Sequence, residues 1–505
     1  MKLKLRWYDC FFIFLFIYLF VLQILAIWPF TIDDMYISLR YAKNWASGNG
    51  LLWNVHAPSV EGYSNFSFVV LGMLILLFNG NPVIFLKIVG VFGLFFTCCF
   101  IYLITRFWFP QRKSLLPCLA LLFYKGQIIW TASGLETAVY EALISGSVYF
   151  CLRGMGYQLF PHNRGKPKPS SFILTGLLLA LAGMTRPEAP VLMLLLLILI
   201  YFDRPKTELS YYWNGVFLSC LMLMIFYIPY FVWRFFYFGY LFPNSVYCKG
   251  IAQVFTFSLD RAYLKLIWPF ALLALPACLK AQDKRHYFLW LPSLVYLLML
   301  ADSDPVVAFD NRLFLPAFIL LLPLVLQGID TIVFWFLQNR SIGEFFFYFF
   351  FFWTVFFFIP GMTLADYRYF SENPVKGEEL RGKVLSWLKT YTAPGDVIVL
   401  ADSGMIPYHS DLNFIDSYCL NNVSMAHYNA KQRYQQFCQE LLYEKPAVII
   451  LTSLIKGKRI HYTPADKCLK KMLDKQKDYK FQHAFVGNAS DSTYRYELYI
   501  RMLND

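Results

Sequence analysis

Long apolar runs recur through most of this chain and limit its fold more than any other feature. A bilayer crossing needs about 20 apolar residues in helical conformation. Only 15% of the 505 residues are charged, and the mean hydropathy is +0.48, whereas soluble domains carry about 25% charge. The sequence therefore predicts a polytopic α-helical membrane protein with about 11–12 spans. The predominantly apolar segments are 11–30, 66–79, 83–105, 115–131, 138–152, 171–184, 188–202, 213–236, 262–280, 286–300, 313–335 and 344–360.

Basic residues mark one set of connections between these segments. They lie at the N-terminus, in 106–113, 153–168, 204–206 and 280–285, and at Arg340. Lys and Arg are enriched in cytoplasmic loops, so we expect these connections, and the N-terminus, on the cytoplasmic side of a bacterial inner membrane. The remaining connections then face the periplasm, among them 31–65, 237–261 and 301–312. This topology requires segment 66–79 to be re-entrant or broken, because it is short for a full crossing.

Composition changes after Gly361, which divides the chain into a transmembrane domain, 1–361, and a periplasmic domain, 362–505. Predicted helices and strands alternate in the second domain. Helices are predicted over 378–391, 430–443 and 463–475, and strands over 396–402, 413–416, 446–451 and 494–502. Strands alternating with helices predict a small α/β domain with a largely parallel sheet.

Two adjacent carboxylates, Asp33 and Asp34, follow the first apolar run and open the loop 31–65. Ionisable residues at a membrane boundary are costly and tend to be functional. Neighbouring positions on a helix point about 100° apart, so we expect different roles for the two. One faces a cavity as a general base, while the other holds the loop or a metal ion. The alternative is that both only end the helix at the lipid headgroups.

Later residues of the same loop extend this candidate site. Arg40 and Lys43 fall on one helical face with Asp33 and Tyr36, which indicates a substrate-binding face or, alternatively, a solvated helix at the membrane surface. Glu61 stands beside a Gly where the chain re-enters the membrane. It is predicted to bind an acceptor hydroxyl or a cation, unless it is simply a turn residue.

Polar residues in other outward connections are further candidates. Glu136 begins an apolar helix, where the helix dipole alone favours an acid. Arg186 and Glu188 bracket a proline and are predicted either to pair with each other or to serve a ligand. Lys249 and Arg312 lie beside spans and are predicted to bind phosphate, Lys249 as a point charge and Arg312 through its forked donors.

The sequence contains candidate metal ligands but no motif that establishes a metal site. Asp302 and Asp304, with Asp34, are candidate ligands for a divalent cation, and the first two are also placed to balance Arg312. No His pair or Cys pair has metal-site spacing, and the eleven cysteines are interpreted as small core residues. No cofactor is assigned.

An outward membrane site limits the chemistry, because little nucleotide is present there and transferred groups must come from lipid-linked donors. A polyprenyl-phosphate sugar needs an apolar groove, a cation for the departing phosphate and a carboxylate that takes a proton from the acceptor hydroxyl. The alternatives are a transporter or flippase of lipid-linked sugars, for which inverted repeats would be expected, and a non-catalytic envelope assembly or sensor protein.

The residues of 33–44, 48–54 and 60–65 resemble the first outward loop of the GT-C membrane glycosyltransferases, and most closely the terminal arabinofuranosyltransferase group. Later motifs resemble the same group at 133–137, 185–188, 243–249, 312–316, 401–408 and 415–421. The resemblance implies a GT-C fold, a polyprenyl-phosphate sugar donor and a catalytic acid at Asp33 or Asp34.

The matching motifs also imply substrate-binding roles for Tyr63, Asn65 and Asn244, beside those of Arg40, Glu61 and Glu136, and a phosphate-binding role for Arg186. Two positions depart from the pattern: Cys419 stands where a Gly is usual, and Asn422 where an acid is expected. The expected partners are a lipid-linked sugar, membrane lipid, and a glycan or lipid acceptor such as lipopolysaccharide or another envelope polysaccharide, with no nucleic acid.

Overall fold

The computed structural model describes residues 7–162, 164–205, 208–249, 258–279, 283–300, 309–337, 339–429, 432–487 and 493–502. The chain divides into two compact units. Unit 1 contains Met1–Trp28, Lys87–Val232 and Phe255–Arg368, and unit 2 contains Pro29–Leu86, Trp233–Val254 and Tyr369–Asp505. The first outward loop therefore belongs to the same compact unit as the C-terminal α/β fold.

Helices account for most of the chain, as the sequence predicts. Those before residue 362 are Trp7–Ile27, Asp33–Ala46, Phe66–Leu77, Pro82–Thr105, Leu116–Phe123, Lys125–Ala132, Thr137–Gly154, Pro169–Thr185, Ala189–Phe202, Leu209–Met222, Ile228–Phe238, Asn244–Lys249, Ser258–Leu279, Tyr287–Met299, Leu315–Phe336 and Arg340–Phe358. Those after it are Leu364–Tyr391, Met405–Tyr408, Val423–His427, Arg433–Glu444 and Pro464–Leu473.

Several of these helices have the length and composition of membrane spans. Among the described residues four qualify, or five if a bent pair forms one span: Pro82–Thr105, Leu209–Phe238, Phe309–Phe336, Arg340–Phe358 and the pair Lys113–Phe123 with Lys125–Ala132. Further apolar helices are shorter, at 10–17 residues. The chain is thus a membrane protein, and its number of crossings stays a prediction.

Segment 66–79, predicted to be re-entrant or broken, is not broken, because it forms one 12-residue helix, Phe66–Leu77. Its re-entrant course stays a prediction. The broken helix lies elsewhere, between Phe123 and Lys125, where the two halves meet at 70°. A basic residue interrupts the apolar run at that point. Backbone groups at membrane depth that make no helical hydrogen bond are tolerated where other protein groups bond to them. Here the amide of Lys125 donates a hydrogen bond of 2.9 Å to the carbonyl of Pro360.

A six-stranded mixed sheet forms the centre of the C-terminal fold. Its strands are β1 (Val397–Leu400), β2 (Asn413–Asp416), β3 (Val448–Lys456), β4 (Arg459–Tyr462), β5 (Tyr479–Val486) and β6 (Thr493–Arg501). The order is β2-β1-β3-β6-β5, and β4 pairs with β3 beyond that path. Buried apolar side chains cover both faces, with the helices Arg433–Glu444 and Pro464–Leu473 packed on one of them.

The α/β class predicted for this region is confirmed, but the expectation of a largely parallel sheet is wrong. Only β1–β2 and β1–β3 are parallel, whereas β3–β4, β3–β6 and β5–β6 are antiparallel. Strands β4 and β5 were not predicted, because their side chains are mostly exposed and lack the apolar alternation that indicates a strand.

Candidate active site

The helix Asp33–Ala46 packs one face against residues 404–412 of the C-terminal fold. The two carboxylate oxygens of Asp33 accept hydrogen bonds from the amides of Gly404 and Met405, each at 3.0 Å. Two turns later, Arg40 donates to the carbonyl of Leu412 at 2.9 Å and to that of Pro407. The shared face that the sequence predicts for Asp33 and Arg40 is therefore present, and it meets another part of the protein.

The same face continues to the end of the helix. The ring of Tyr36 lies 5.5 Å from that of Tyr408. Lys43 reaches the carbonyl of Tyr408 at 3.3 Å and pairs with Asp411 at 3.2 Å. Arg40 is buried and also donates to the carbonyl of Trp53 at 2.7 Å. Its predicted role in substrate binding stays untested, while these contacts give it a clear role in holding the loop.

An arginine from the helix Leu364–Tyr391 joins two carboxylates at this junction. Arg381 lies 3.2 Å from Asp33 and makes hydrogen bonds of 3.2 and 3.0 Å to Asp402, which follows β1. Asp402 also accepts a hydrogen bond from the hydroxyl of Tyr496 on β6. One turn before the arginine, Glu378 accepts a hydrogen bond from Thr31. The start of the first loop is thus fixed by side chains of the C-terminal fold.

Asp33 is an unusual carboxylate in this setting. Burial raises the pKa of its carboxyl from an ordinary value of 3.8 to about 6, against the opposing effects of the Arg381 guanidinium and the Met405 amide. The nearby charge of Asp402 acts in the same direction as burial. Asp33 therefore belongs to a cluster of two carboxylates, its own and that of Asp402, around the single cation of Arg381.

Asp34 differs from its neighbour. Both residues are partly buried, but the side chain of Asp34 makes no hydrogen bond or ion pair with any residue that the structure describes. Asp33 thus ties the loop to the C-terminal fold, whereas Asp34 has no partner among the described residues. The different roles predicted from the 100° helical offset stay a prediction.

The end of the first loop is fixed by a buried ion pair. Glu61 contacts Arg234 through both oxygens, at 2.8 and 2.7 Å, and both side chains are about 95% buried. The carbonyl of Glu61 accepts the amide of Asn244 at 3.0 Å. Of the other predicted substrate-binding residues, Tyr63 is buried among aromatic rings and Asn65 accepts from Ser38 at 2.7 Å.

Motifs far apart in the sequence meet here. The hydroxyl of Tyr41 donates to Asn421 at 2.9 Å and accepts the amide of Gly62 at 3.1 Å. A side chain at position 62 would collide with Asn421, because an added Cβ would lie 1.8 Å from its amide oxygen. Asn54 pairs its amide group with both backbone groups of Phe414 on the edge strand β2, at 2.9 and 3.1 Å. The first-loop and C-terminal motifs are two sides of one contact within unit 2.

In unit 1, the structure brings together residues that the sequence analysis treated separately. Arg186 donates to Glu136 at 2.8 Å and to both oxygens of Glu188, at 3.1 and 2.7 Å. Arg312 donates to the same Glu136 at 3.0 Å and to Thr137 at 3.2 Å. The pairing of Arg186 with Glu188, one of the two alternatives, is therefore present. Both arginines proposed for phosphate binding have carboxylate partners.

One basic residue of unit 1 was missed by the sequence analysis. Lys125 begins the second half of the broken helix and pairs with Asp310 at 3.0 Å. Asp310 and Asn311 have positive φ, and their turn is held by Tyr124, whose hydroxyl donates to the carbonyl of Asp310 at 2.9 Å. A lysine inside the apolar run 115–131 was the available signal, since charge at membrane depth is costly.

Some of the predicted site residues lie outside the described part of the chain. Asp302 and Asp304 fall outside the described residues, and Lys249 ends the helix Asn244–Lys249 with a side chain that is also outside them. Among the side chains that are described, no three His, Cys, Asp or Glu come together in a way that could hold a metal ion.

Four cysteines of unit 2 are paired, in contrast to their interpretation as core residues. Cys248 bonds to Cys419 and Cys438 to Cys468, with Cα atoms 6.0 and 6.5 Å apart. Cys419 occupies the position where the resemblance predicts a Gly, and its φ is +92°. Six described cysteines of unit 1 are free. Separations of 171 and 30 residues gave no sequence signal for these pairs.

Comparison with known proteins gives the fold. A family model described as a domain of unknown function (DUF8728) matches residues 367–499. No curated protein sequence matches the chain. The crystal structure of ArnT from Cupriavidus metallidurans bound to undecaprenyl phosphate is similar at 11% identity and a TM-score of 0.57, over 96% of this chain and 98% of that one.

A second solved structure leads to the same conclusion. The archaeal oligosaccharyltransferase AglB from Archaeoglobus fulgidus, in complex with an inhibitory peptide and a dolichol-phosphate, is similar at 10% identity with a TM-score of 0.59, over 95% of this chain and 80% of that one. At such low identity the likeness concerns the fold. This chain has the GT-C fold, and the fold predicted from its sequence is confirmed.

Proposed function

We propose that this chain, a membrane protein with the GT-C fold, transfers a sugar from a polyprenyl-phosphate donor to a glycan or lipid acceptor of the bacterial cell envelope. The observation that carries the proposal is the contrast between Asp33 and Asp34 within that fold. Both solved structures named above were determined with a polyprenyl or dolichyl phosphate, which supports a donor of that chemical class.

The transfer needs one proton acceptor. Asp34 takes the proton of the acceptor hydroxyl while the hydroxyl oxygen forms a bond to the anomeric carbon of the donor sugar. The bond between that carbon and the phosphate oxygen breaks, and polyprenyl phosphate leaves with the electron pair. A half-buried carboxylate with no partner in the described part of the chain suits this role, because general-base catalysis requires an oxygen that can approach the proton to hydrogen-bond distance.

Other residues hold the reacting groups in place. Asp33, Arg381 and Asp402 fix the first turn of the helix that carries Asp34, which limits the motion of the base. In unit 1, Glu136 balances the charges of Arg186 and Arg312 and orients their guanidinium groups. The predicted phosphate-binding roles of Lys249, Arg312 and Arg186 stay predictions.

The proposal is tested with full-length protein in vesicles supplied with synthetic polyprenyl-phosphate sugars, each with a radiolabelled sugar. We expect label to move to an envelope-derived acceptor with at least one donor and to stay on the lipid in vesicles without the protein. Nucleotide sugars serve as the matched control, and transfer from them in the absence of polyprenyl phosphate would contradict the proposed donor class.

The cysteines of unit 2 support a periplasmic location for this unit. Disulfides persist in oxidising compartments such as the periplasm and are rare in the cytosol. The two cysteine pairs of unit 2, beside free cysteines in unit 1, support the predicted topology, in which the first loop and the C-terminal fold are periplasmic and the N-terminus is cytoplasmic.

A labelling experiment checks this assignment. After denaturation of protein taken from native membranes, a maleimide polymer is expected to add to four more cysteines once the sample has been reduced, because two pairs then open. The double variant Cys248→Ser/Cys419→Ser is expected to gain only two. Equal labelling with and without reduction would place these cysteines in a reducing compartment.

A further inference from the structure

Positive charge in the C-terminal fold is concentrated on the β3–β4 hairpin and the segment that follows it. Residues 456–480 contain nine Lys or Arg and three Asp, whereas 362–455 contain eight Lys or Arg and ten Asp or Glu. No predicted site residue lies in this stretch. A charge of one sign on one supersecondary element creates a local field that attracts anions.

These cations are available to a ligand. Eight of the nine are exposed, and none of the eight has an ion pair with a residue that the structure describes: Lys456, Lys458, Arg459, Lys467, Lys471, Lys475, Lys477 and Lys480. The ninth, Lys470, pairs with Asp474 at 3.1 Å and Glu497 at 3.5 Å. Asp466 is fully buried and does not neutralise the surface.

The hairpin gives this charge a defined shape. Lys456 pairs with Arg459 across the turn Gly457–Lys458, so three cations lie within four residues at the tip. The tip follows the carboxyl end of β3, and Asp402 lies beyond the same end of the parallel strand β1.

The following helix adds a second row of charge. Along Pro464–Leu473, the buried positions Ala465, Leu469 and Leu473 face the core. Lys467 and Lys471 are one turn apart and exposed on the other side. The hairpin and the helix, residues 456–480, form what we call the basic surface.

We propose that the basic surface binds an anionic glycan, a sugar chain bearing phosphate or carboxylate groups. Resting on the proposed function, this assigns the acceptor to the class of acidic envelope glycans. Eight unpaired cations repel one another, and a chain with repeated negative charges relieves that repulsion at several positions at once. The absence of exposed acids that could compete, apart from Asp474 and Asp478, favours such a ligand over a neutral one.

The test uses full-length protein in phosphatidylcholine nanodiscs and oligogalacturonate of defined length as the anionic probe, with its methyl ester as a neutral control. We expect the anionic form to bind and the ester to bind at least about tenfold more weakly. Affinity is expected to fall as salt rises, because exposed charges are screened within about 10 Å at 0.1 M. No donor lipid is present, so binding is measured whether or not transfer occurs.

The matched variants remove equal charge from two places. Lys456→Gln/Lys458→Gln/Arg459→Gln is expected to weaken binding about tenfold, since three exposed contacts are lost. Lys383→Gln/Lys389→Gln/Lys445→Gln removes three exposed cations elsewhere in the fold and is expected to bind like wild type. Equal affinity of both triple variants, or equal binding of the ester, would overturn the proposal.

A last experiment distinguishes binding of a glycan from binding of an anionic lipid surface. A fluorophore at an introduced cysteine, Ile460→Cys, reports on the hairpin, where Ile460 is 42% exposed. The signal is expected to respond to oligogalacturonate and to remain unchanged when phosphatidylglycerol replaces phosphatidylcholine. A response to phosphatidylglycerol without any response to the oligosaccharide would assign the surface to anionic lipid and reject the glycan.

Discussion

The variant Asp34→Asn is expected to lose about two to four orders of magnitude in the rate of sugar transfer, the usual contribution of a general base. Asn keeps the shape of the side chain but cannot take a proton at neutral pH. The side chain of Asp34 makes no described hydrogen bond or ion pair, so the folded state loses little and the thermal midpoint is expected to stay near that of wild type. The measurement is kcat and KM in vesicles, and the loss is expected in kcat.

Asp33→Asn is expected to behave differently. Its carboxylate accepts two backbone hydrogen bonds and faces Arg381, so the change weakens the attachment of the loop and lowers stability and activity together. Asp411→Asn is the matched control, because that side chain is 96% exposed and pairs with Lys43 at the surface. Full transfer activity in Asp34→Asn would show that the base is another residue.

The sequence predicted those features that depend on local periodicity. The strand Asn413–Asp416 was predicted with its observed bounds, from the short apolar pair Phe414–Ile415 between two polar residues. The shared face of Asp33, Tyr36 and Arg40 was also predicted, because 3.6 residues make one helical turn. What packs against that face lies about 370 residues away along the chain, and no local pattern contains such information.

The same reason explains what the sequence missed in the site. In the sequence, Arg381 is one residue of a predicted helix with no sign of a special role. In the structure it lies between Asp33 and Asp402. Glu61 was predicted to bind an acceptor hydroxyl or a cation, or to be a turn residue, yet Arg234, 173 residues later, pairs with it. Unbalanced charge in a sequence indicates that a partner exists without indicating whether that partner is protein or substrate.

The variant Arg381→Met is expected to destabilise the protein by about 3–5 kcal/mol, the typical cost of leaving buried charges without a partner. The side chains of Arg381, Asp33 and Asp402 are only 11, 15 and 19% exposed, so water replaces the lost cation poorly. Arg381→Lys is expected to recover part of the stability, because a lysine supplies the charge but not the forked donors. Lys383→Met, on the exposed side of the same helix, is expected to melt like wild type.

The pH dependence distinguishes this electrostatic cause from lost packing. In wild type, the pKa of Asp33 is about 6, above its ordinary value of 3.8, and loss of the arginine removes a group that lowers it. Between pH 3.8 and about pH 6, Asp33 binds more protons in the folded state than in the unfolded state. The stability of the folded state therefore falls as pH rises through this range. Arg381→Met is therefore expected to melt close to wild type at about pH 5 and well below it at about pH 8, and Arg381→Met/Asp33→Asn/Asp402→Asn is expected to reduce that difference. A deficit of equal size at both pH values would assign the effect to packing of the arginine side chain instead.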